Sequence, residues 1–245
     1  MKKALCFLLI LLSLLLCSCE EMGVSPGGVQ GSGRIGSEDR QVQGIRGVAL
    51  TNSGDLTITV GNQEALRIEA EDNVLPYLET TVRNGTLTIG TRPNTNLRTS
   101  RPIRYALTVK SLESLVISSS GNIVAPALQA DRFTATISSS GDIRLAGLNA
   151  NNLQVVISSS GDLEINGGEV KQQSITLSSS GQYKAGNLRS QTADVRLSSS
   201  GNATIWVTGS LNAQLSSSGN VNYYGKPAIT QRMSSSGKLV SLGDK

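Results

Sequence analysis

From Val42 onward, apolar and polar residues alternate in short runs, and the runs recur. Phe133, Ala135 and Ile137, then Leu153, Val155 and Ile157, then Ala193, Val195 and Leu197 place every second side chain on one face. A second set does the same: Ile143 with Leu145, Leu163 with Ile165, Ala203 with Ile205. Period two is the pattern of a strand with one buried face. Between the two sets stands Ser-Ser-Ser-Gly, seven times, beginning at Ser118, Ser138, Ser158, Ser178, Ser198, Ser216 and Ser234. The steps are 20 residues four times and then 18 residues twice.

Each unit therefore reads as strand, corner, strand and a looser return. The return carries a further inward candidate in Leu128, Leu148 and Leu188. Hairpins would not require so constant a unit length, whereas coils stacked on equivalent coils do. The pattern predicts an all-β protein, a parallel β-helix (solenoid) with coils of 18–20 residues over 115–245. Equivalent residues of successive coils should stand about 4.8 Å apart. Glycine at each corner suggests a backbone position with φ > 0, followed by Asn or Asp that tolerates the same region. Stacked serines suggest hydrogen bonding along their column.

Upstream the strands are less regular: Val48–Leu50, Leu56–Val60, Leu66–Glu69, Glu79–Val82 and Thr86–Ile89. Asn84-Gly85 between two of them is a two-residue hairpin signal. Arg92, Arg98, Arg101 and Arg104 with two prolines read as a loop or edge; such a cluster could grip an acidic sugar or phosphate, but the favoured reading is a solvated edge that discourages pairing with other chains. One elongated domain over 41–245 accommodates all of this.

Composition adds an address. Lys2 and Lys3 precede an apolar run from Ala4 to Leu16, a secretory signal too short for a comfortable membrane span. Residues 1–18 are read as a lipoprotein signal peptide and 19–40, rich in Gly and Ser, as a flexible tether with a reach of roughly 25 Å. Leu16-Cys17-Ser18-Cys19 resembles a lipobox, which makes Cys19 the lipidated residue, with Cys17 the poorer alternative. Two of the 22 basic residues fall in the signal, leaving 20 against 18 acidic ones. Nucleic acid needs a clustered basic surface, and the mature chain offers only one local cluster, so no nucleic-acid partner is expected. Aromatic content of 3% suits a narrow aliphatic interior, and the absence of histidine removes the commonest general base and metal ligand.

Val48-Ala-Leu-Thr-Asn-Ser-Gly-Asp-Leu-Thr-Ile-Thr-Val60, the segment Leu66–Tyr77 and Asn84–Ile89 resemble the head GIN domain family of auto-transporter adhesins, and the Ser-Ser-Ser-Gly coils resemble its second half. Leu56 follows the acid of Ser53-Gly54-Asp55 where the family often carries Gly-Ile-Asn/Asp. The resemblance covers about 40–245. It implies a right-handed β-helix in secreted or lipid-anchored bacterial proteins, of Bacteroidetes type here, and adhesion as the role. It brings no catalytic residues.

Four features are candidates for chemistry. Asp142 and Asp162 occupy equivalent places in consecutive coils, at a spacing near that of the carboxyl pair of retaining glycosidases. They are also the weak candidates for a metal site, but the rest of their column fits a turn role. The serines lack a base, so none is read as a nucleophile. Arg144, Glu164 and Lys184 suggest a surface ion-pair ladder. Trp206 and Tyr224 should face outward in adjacent coils, with Leu242 continuing the column. That ladder would be either a platform for a sugar or protein, or a seat for the C-terminal tail. The expectation is a non-enzymatic, lipid-anchored envelope protein, placed at the outer membrane on its periplasmic or outer side. It needs no cofactor, meets the membrane through its lipid, and binds a glycan or surface protein. Self-association through the solenoid ends is open to it. A polysaccharide-degrading enzyme on the same fold and a structural spacer are the alternatives.

Overall fold

The computed structural model describes residues 28–234 and 236–245. The expected signal peptide and Cys19 lie outside them. The chain forms a β-solenoid of about six turns with less regular strands at its N-terminal end. The coils are built from the strands Asn122–Ile137, Ile143–Ile157, Leu163–Ile165, Gly168–Leu177, Gln182–Leu197 and Asn202–Leu215. Each pairs in parallel with its neighbours, and the register is the sequence period itself: Ile123 opposes Ile143, Phe133 opposes Leu153, and Ile137 opposes Ile157. The ladder pauses at Pro126 and Asp131, dividing the coil into three segments.

Between Gln182–Leu197 and Asn202–Leu215 the register shifts. Ala185 opposes Ile205, but Arg189 opposes Trp206 and Thr192 opposes Ser210. This is where the 18-residue spacing begins, and residues 186–188 lose their ladder partners.

The inward columns fill the interior. Ile117, Ile137, Ile157, Leu177, Leu197 and Leu215 are all buried, as are Ile123, Ile143, Leu163, Tyr183, Ala203 and Val221. Burying one such aliphatic side chain is worth about 1.5–3 kcal/mol. The predicted return residues Leu128, Leu148 and Leu188 are buried too. At the far end the columns run out into solvent, with Ile229 and Met233 exposed on a strand, Ala228–Met233, whose residues are all exposed.

The corner glycines hold a different position from the one their type suggests. None of Gly121, Gly141, Gly161, Gly181, Gly201, Gly219 and Gly237 has φ in the left-handed region. They are required by close approach instead. A Cβ on Gly141 would lie 2.0 Å from the carbonyl oxygen of Gly121, and one on Gly161 would lie 2.1 Å from that of Gly141. The serine hydroxyls of the first corners turn to the backbone rather than to one another. Ser119 Oγ donates to the main-chain oxygen of Asn52 and Ser138 Oγ reaches that of Ile117.

At the N-terminal end parallel and antiparallel pairing mix. Gly47–Leu50 lies parallel between Thr86–Thr91 and Ser114–Ile117. Ala65–Glu71 runs antiparallel to Arg104–Val109 and to Ile35–Arg40. The expected hairpin joins Leu78–Arg83 to Thr86–Thr91, with Asn84 at φ 50° and Gly85 at φ 80°, as a type I′ turn demands. The outermost strands, Ile35–Arg40 and Leu78–Arg83, carry Glu38, Asp39, Arg40, Glu79 and Arg83. Arg40 ties them together by donating to the carbonyl of Leu78 at 2.7 Å. Charged edges of this kind resist pairing with another chain.

Residues 28–40 were expected within the tether and belong to the body. Val29–Gln30 pairs with Leu97–Arg98, and Ile35–Arg40 pairs along its whole length with Ala65–Glu71. Glu71 closes this junction. It is buried, and its carboxylate accepts from Gly33 N at 2.7 Å and from the Ser100 hydroxyl at 2.7 Å and amide at 3.1 Å. The Ser100 hydroxyl chiefly, then the amides of Gly33, Ser100 and Arg101, hold its pKa below 4.5 against the opposing effect of desolvation. Asp72 beside it is lowered chiefly by the Ser32 hydroxyl.

A carboxyl with a depressed folded pKa stabilises fully above its unfolded value and ceases to as pH falls through the folded one. Hydrogen-exchange protection of the Gly33 and Ser100 amides should therefore fall as the pH drops below about 4.5, ahead of the solenoid core. Protection that fell only together with the core would remove Glu71 as the clasp.

Candidate functional site

Asp142 and Asp162 are brought into adjacent coils as predicted, and both of their oxygens are engaged. Asp142 Oδ1 accepts from the amide of Asp162 and Asp162 Oδ1 from that of Gln182, each at 3.0 Å. The other oxygens pair with Arg144 at 3.0 Å and Lys184 at 2.7 Å. Asn202 and Asn220 repeat the arrangement, accepting from the amides of Asn220 and Lys238. The column thus stitches coil to coil, with each side chain holding the next backbone. Among the described residues no cluster of three or more His, Cys, Asp or Glu could hold a metal. The expected charge ladder exists in part, with Arg144 3.8 Å from Glu164.

Trp206 and Tyr224 oppose each other in register and are half-exposed. The chain's own last residues sit on them. Leu242 N donates to Tyr223 O at 2.8 Å and Gly225 N to Gly243 O at 2.9 Å, while Lys226 pairs with Asp244 at 2.8 Å. The Lys245 ammonium then lies 4.5 Å from the Tyr224 ring centroid and 5.7 Å from that of Trp206. It also donates to the Gly186 carbonyl at 2.7 Å and contacts Asn187 Oδ1. Gly186 lies where the ladder shifted, so the lysine satisfies an oxygen that the shortened coil left without a strand partner.

The arginine-rich stretch is partly folded in. Arg92 stacks 5.5 Å from the Tyr77 ring centroid and donates to Pro76 O at 3.0 Å, and Arg98 lies in the strand pair with Val29–Gln30.

Two groupings were not anticipated. Within the core, the Tyr183 hydroxyl donates to Gln173 Oε1 at 2.9 Å, Gln173 Nε2 to Ser190 Oγ at 2.7 Å, and Ser190 Oγ to Trp206 O at 2.7 Å. All three side chains are buried, and burial pushes the Tyr183 phenol well above its usual pKa. The readable signal was Gln173 and Ser190 standing in columns that are otherwise apolar or alanine. The second grouping is an open hollow of about 780 Å³ where three turns converge, around residues 41–46, 62–64 and 110–111. Buried Val42 and Ile45 anchor the first turn. Glu64 pins it further, its carboxylate accepting from Gly44 N at 2.6 Å and Ile45 N at 2.8 Å. Sequence alone gave no sign of this site, because its residues meet only when turns 20 and 65 positions apart are folded together.

A β-solenoid with a mixed N-terminal sheet and stitched turn columns places the chain among the repeat β-proteins. The chain belongs to the family described as "Putative auto-transporter adhesin, head GIN domain", whose model matches residues 45–227. It is similar in fold to the crystal structure of a "putative adhesin" from Bacteroides fragilis, with a TM-score of 0.81 at 21% identity, covering 88% of this chain and 100% of that one. A "putative adhesin" from Parabacteroides merdae gives a TM-score of 0.72 at 17% identity, covering 87% and 98%. A "Putative lipid binding protein" from Parabacteroides distasonis gives 0.72 at 22%, covering 87% and 99%. No curated protein matches the chain. Among the described residues no helix is long and apolar enough to cross a membrane.

Proposed function

We propose that the chain is a non-catalytic adhesin, held at the bacterial cell envelope by a lipid on Cys19 and binding a glycan or protein with its solenoid head. The observation that carries the reading is the use of the acidic column within an adhesin family. Asp142 and Asp162, the residues best spaced for acid–base work, are bound to the backbone and to Arg144 and Lys184. A general acid or base needs a carboxyl that reaches substrate, and these hold the coils together. Leu16-Cys17-Ser18-Cys19 supports the anchor, and an outer-membrane location, on the periplasmic or outer side, suits an adhesive role.

Two measurements test this. Cells fed a clickable palmitate should label the wild-type chain and leave Cys19→Ser unlabelled; equal labelling of both would remove Cys19 as the anchor. Full-length protein in detergent micelles should bind saturably to some member of a panel of immobilised glycans and envelope proteins, without releasing sugar. Retention on none of them, or sugar release from any, would overturn the adhesin reading.

A further inference from the structure

We propose that the hollow formed by the three N-terminal turns is the ligand site, and that its ligand is an anionic saccharide bearing carboxylate or sulfate groups. This rests on the adhesin reading and names its site and ligand class. At about 780 Å³ the hollow is of the size that holds a small ligand, here two or three sugar rings. Its chemistry is one-sided. Glu64 is the one acid lining it, and both of its oxygens are turned to the amides of Gly44 and Ile45. Arg46 and Lys110 also line it, both are exposed, and neither side chain makes an ion pair or hydrogen bond among the described residues.

This contrasts with Arg144, Lys184, Arg189 and Arg196, each paired with an acid on the outer face of the coils. Four primary amides surround the two cations: Gln41, Gln43, Asn62 and Gln63, all exposed and without side-chain partners among the described residues. An amide offers donors and an acceptor together, as a sugar hydroxyl does, while guanidinium and ammonium groups meet carboxylate or sulfate. The anchored turn fixes the backbone that carries Gln41, Gln43 and Arg46, which removes part of the ordering cost of binding.

The test uses full-length protein in detergent micelles. The probes are a polygalacturonate hexasaccharide and a sulfated heparan-type dodecasaccharide, with a neutral dextran oligomer beside them. Wild type should bind at least one anionic probe and not dextran, and more weakly as salt rises, because the two cations are exposed. Arg46→Gln/Lys110→Gln should weaken that binding at least tenfold. Both positions are exposed, and an unchanged melting temperature would show that the fold survives.

Trp206→Ala/Tyr224→Ala should bind as wild type does. Loss in that variant with retention in the first would move the site to the aromatic pair. Equal binding of dextran would overturn the anionic ligand. Silence on all three saccharides, with retention on an envelope protein, would overturn this inference and leave the adhesin reading standing; silence everywhere would end both.

Discussion

Gly161→Ala should lower the stability of the solenoid by about 3 kcal/mol, the upper end of what overpacking usually costs. For a chain of this size that is a fall in melting temperature of roughly 6–12 °C. The added methyl would stand 2.1 Å from the carbonyl oxygen of Gly141 and 2.8 Å from that of Ser139. Neither oxygen can yield easily, because Gly161 N itself donates to Ser139 O at 3.2 Å. Relief requires the two coils to separate, and every ladder bond of the corner resists that. Gly167→Ala is the matched control: its new methyl would meet only the Ala146 carbonyl oxygen, at 3.9 Å, and φ there is not in the left-handed region. It should stay within about 0.5 kcal/mol of wild type. Thermal melting followed by circular dichroism decides the matter, and equal melting of the two variants would refute the close-approach argument.

The second large effect belongs to Gln173. Gln173→Leu keeps most of the volume but leaves the Tyr183 hydroxyl without its acceptor and removes the donor to Ser190, all in a buried interior. A buried polar group left unpaired costs about 1–3 kcal/mol, and two partners are affected here. We expect a loss of about 3 kcal/mol. Adding Tyr183→Phe to that background should recover about 1 kcal/mol or more, although Tyr183→Phe alone destabilises the wild type. Urea unfolding of the four proteins forms a double-mutant cycle, and simple additivity would mean that Gln173 and Tyr183 do not act as one unit.

The coils were legible because each interface repeats the same demand. Ile117, Ile137 and Ile157 stack on one another, so one error in register would displace every coil, and the period announces the answer. The strand Ile35–Arg40 was not legible. Its residues Ile35-Gly-Ser-Glu-Asp-Arg40 show no alternation, since an outermost strand needs a backbone partner more than a buried face. What holds it lies elsewhere in the chain, at Glu71 and Ala65–Glu71. The corner glycines were read as left-handed positions and are not, because the closeness to the coil below that calls for glycine there leaves no trace within a single repeat. Trp206 and Tyr224 were placed outward by parity alone. That Lys245 would settle on them depended on the two residues missing from that coil, whose effect on the ladder appears only in three dimensions. The hollow at the N-terminal turns is the extreme case, since nothing along the chain links Gln41 to Lys110.

The glycine column also bears on how such a molecule changes its height. Gly141, Gly161, Gly181 and Gly201 each meet the layer beneath through the same two carbonyls, one from a glycine and one from a serine. Every joint therefore accepts any neighbour of the same kind. A duplicated 20-residue segment can enter at a corner without asking its neighbours to change, and it lifts the far end by about 4.8 Å. Reach becomes a matter of copy number, open to lengthening or shortening by tandem duplication, while the turns at the N-terminal end keep their shape.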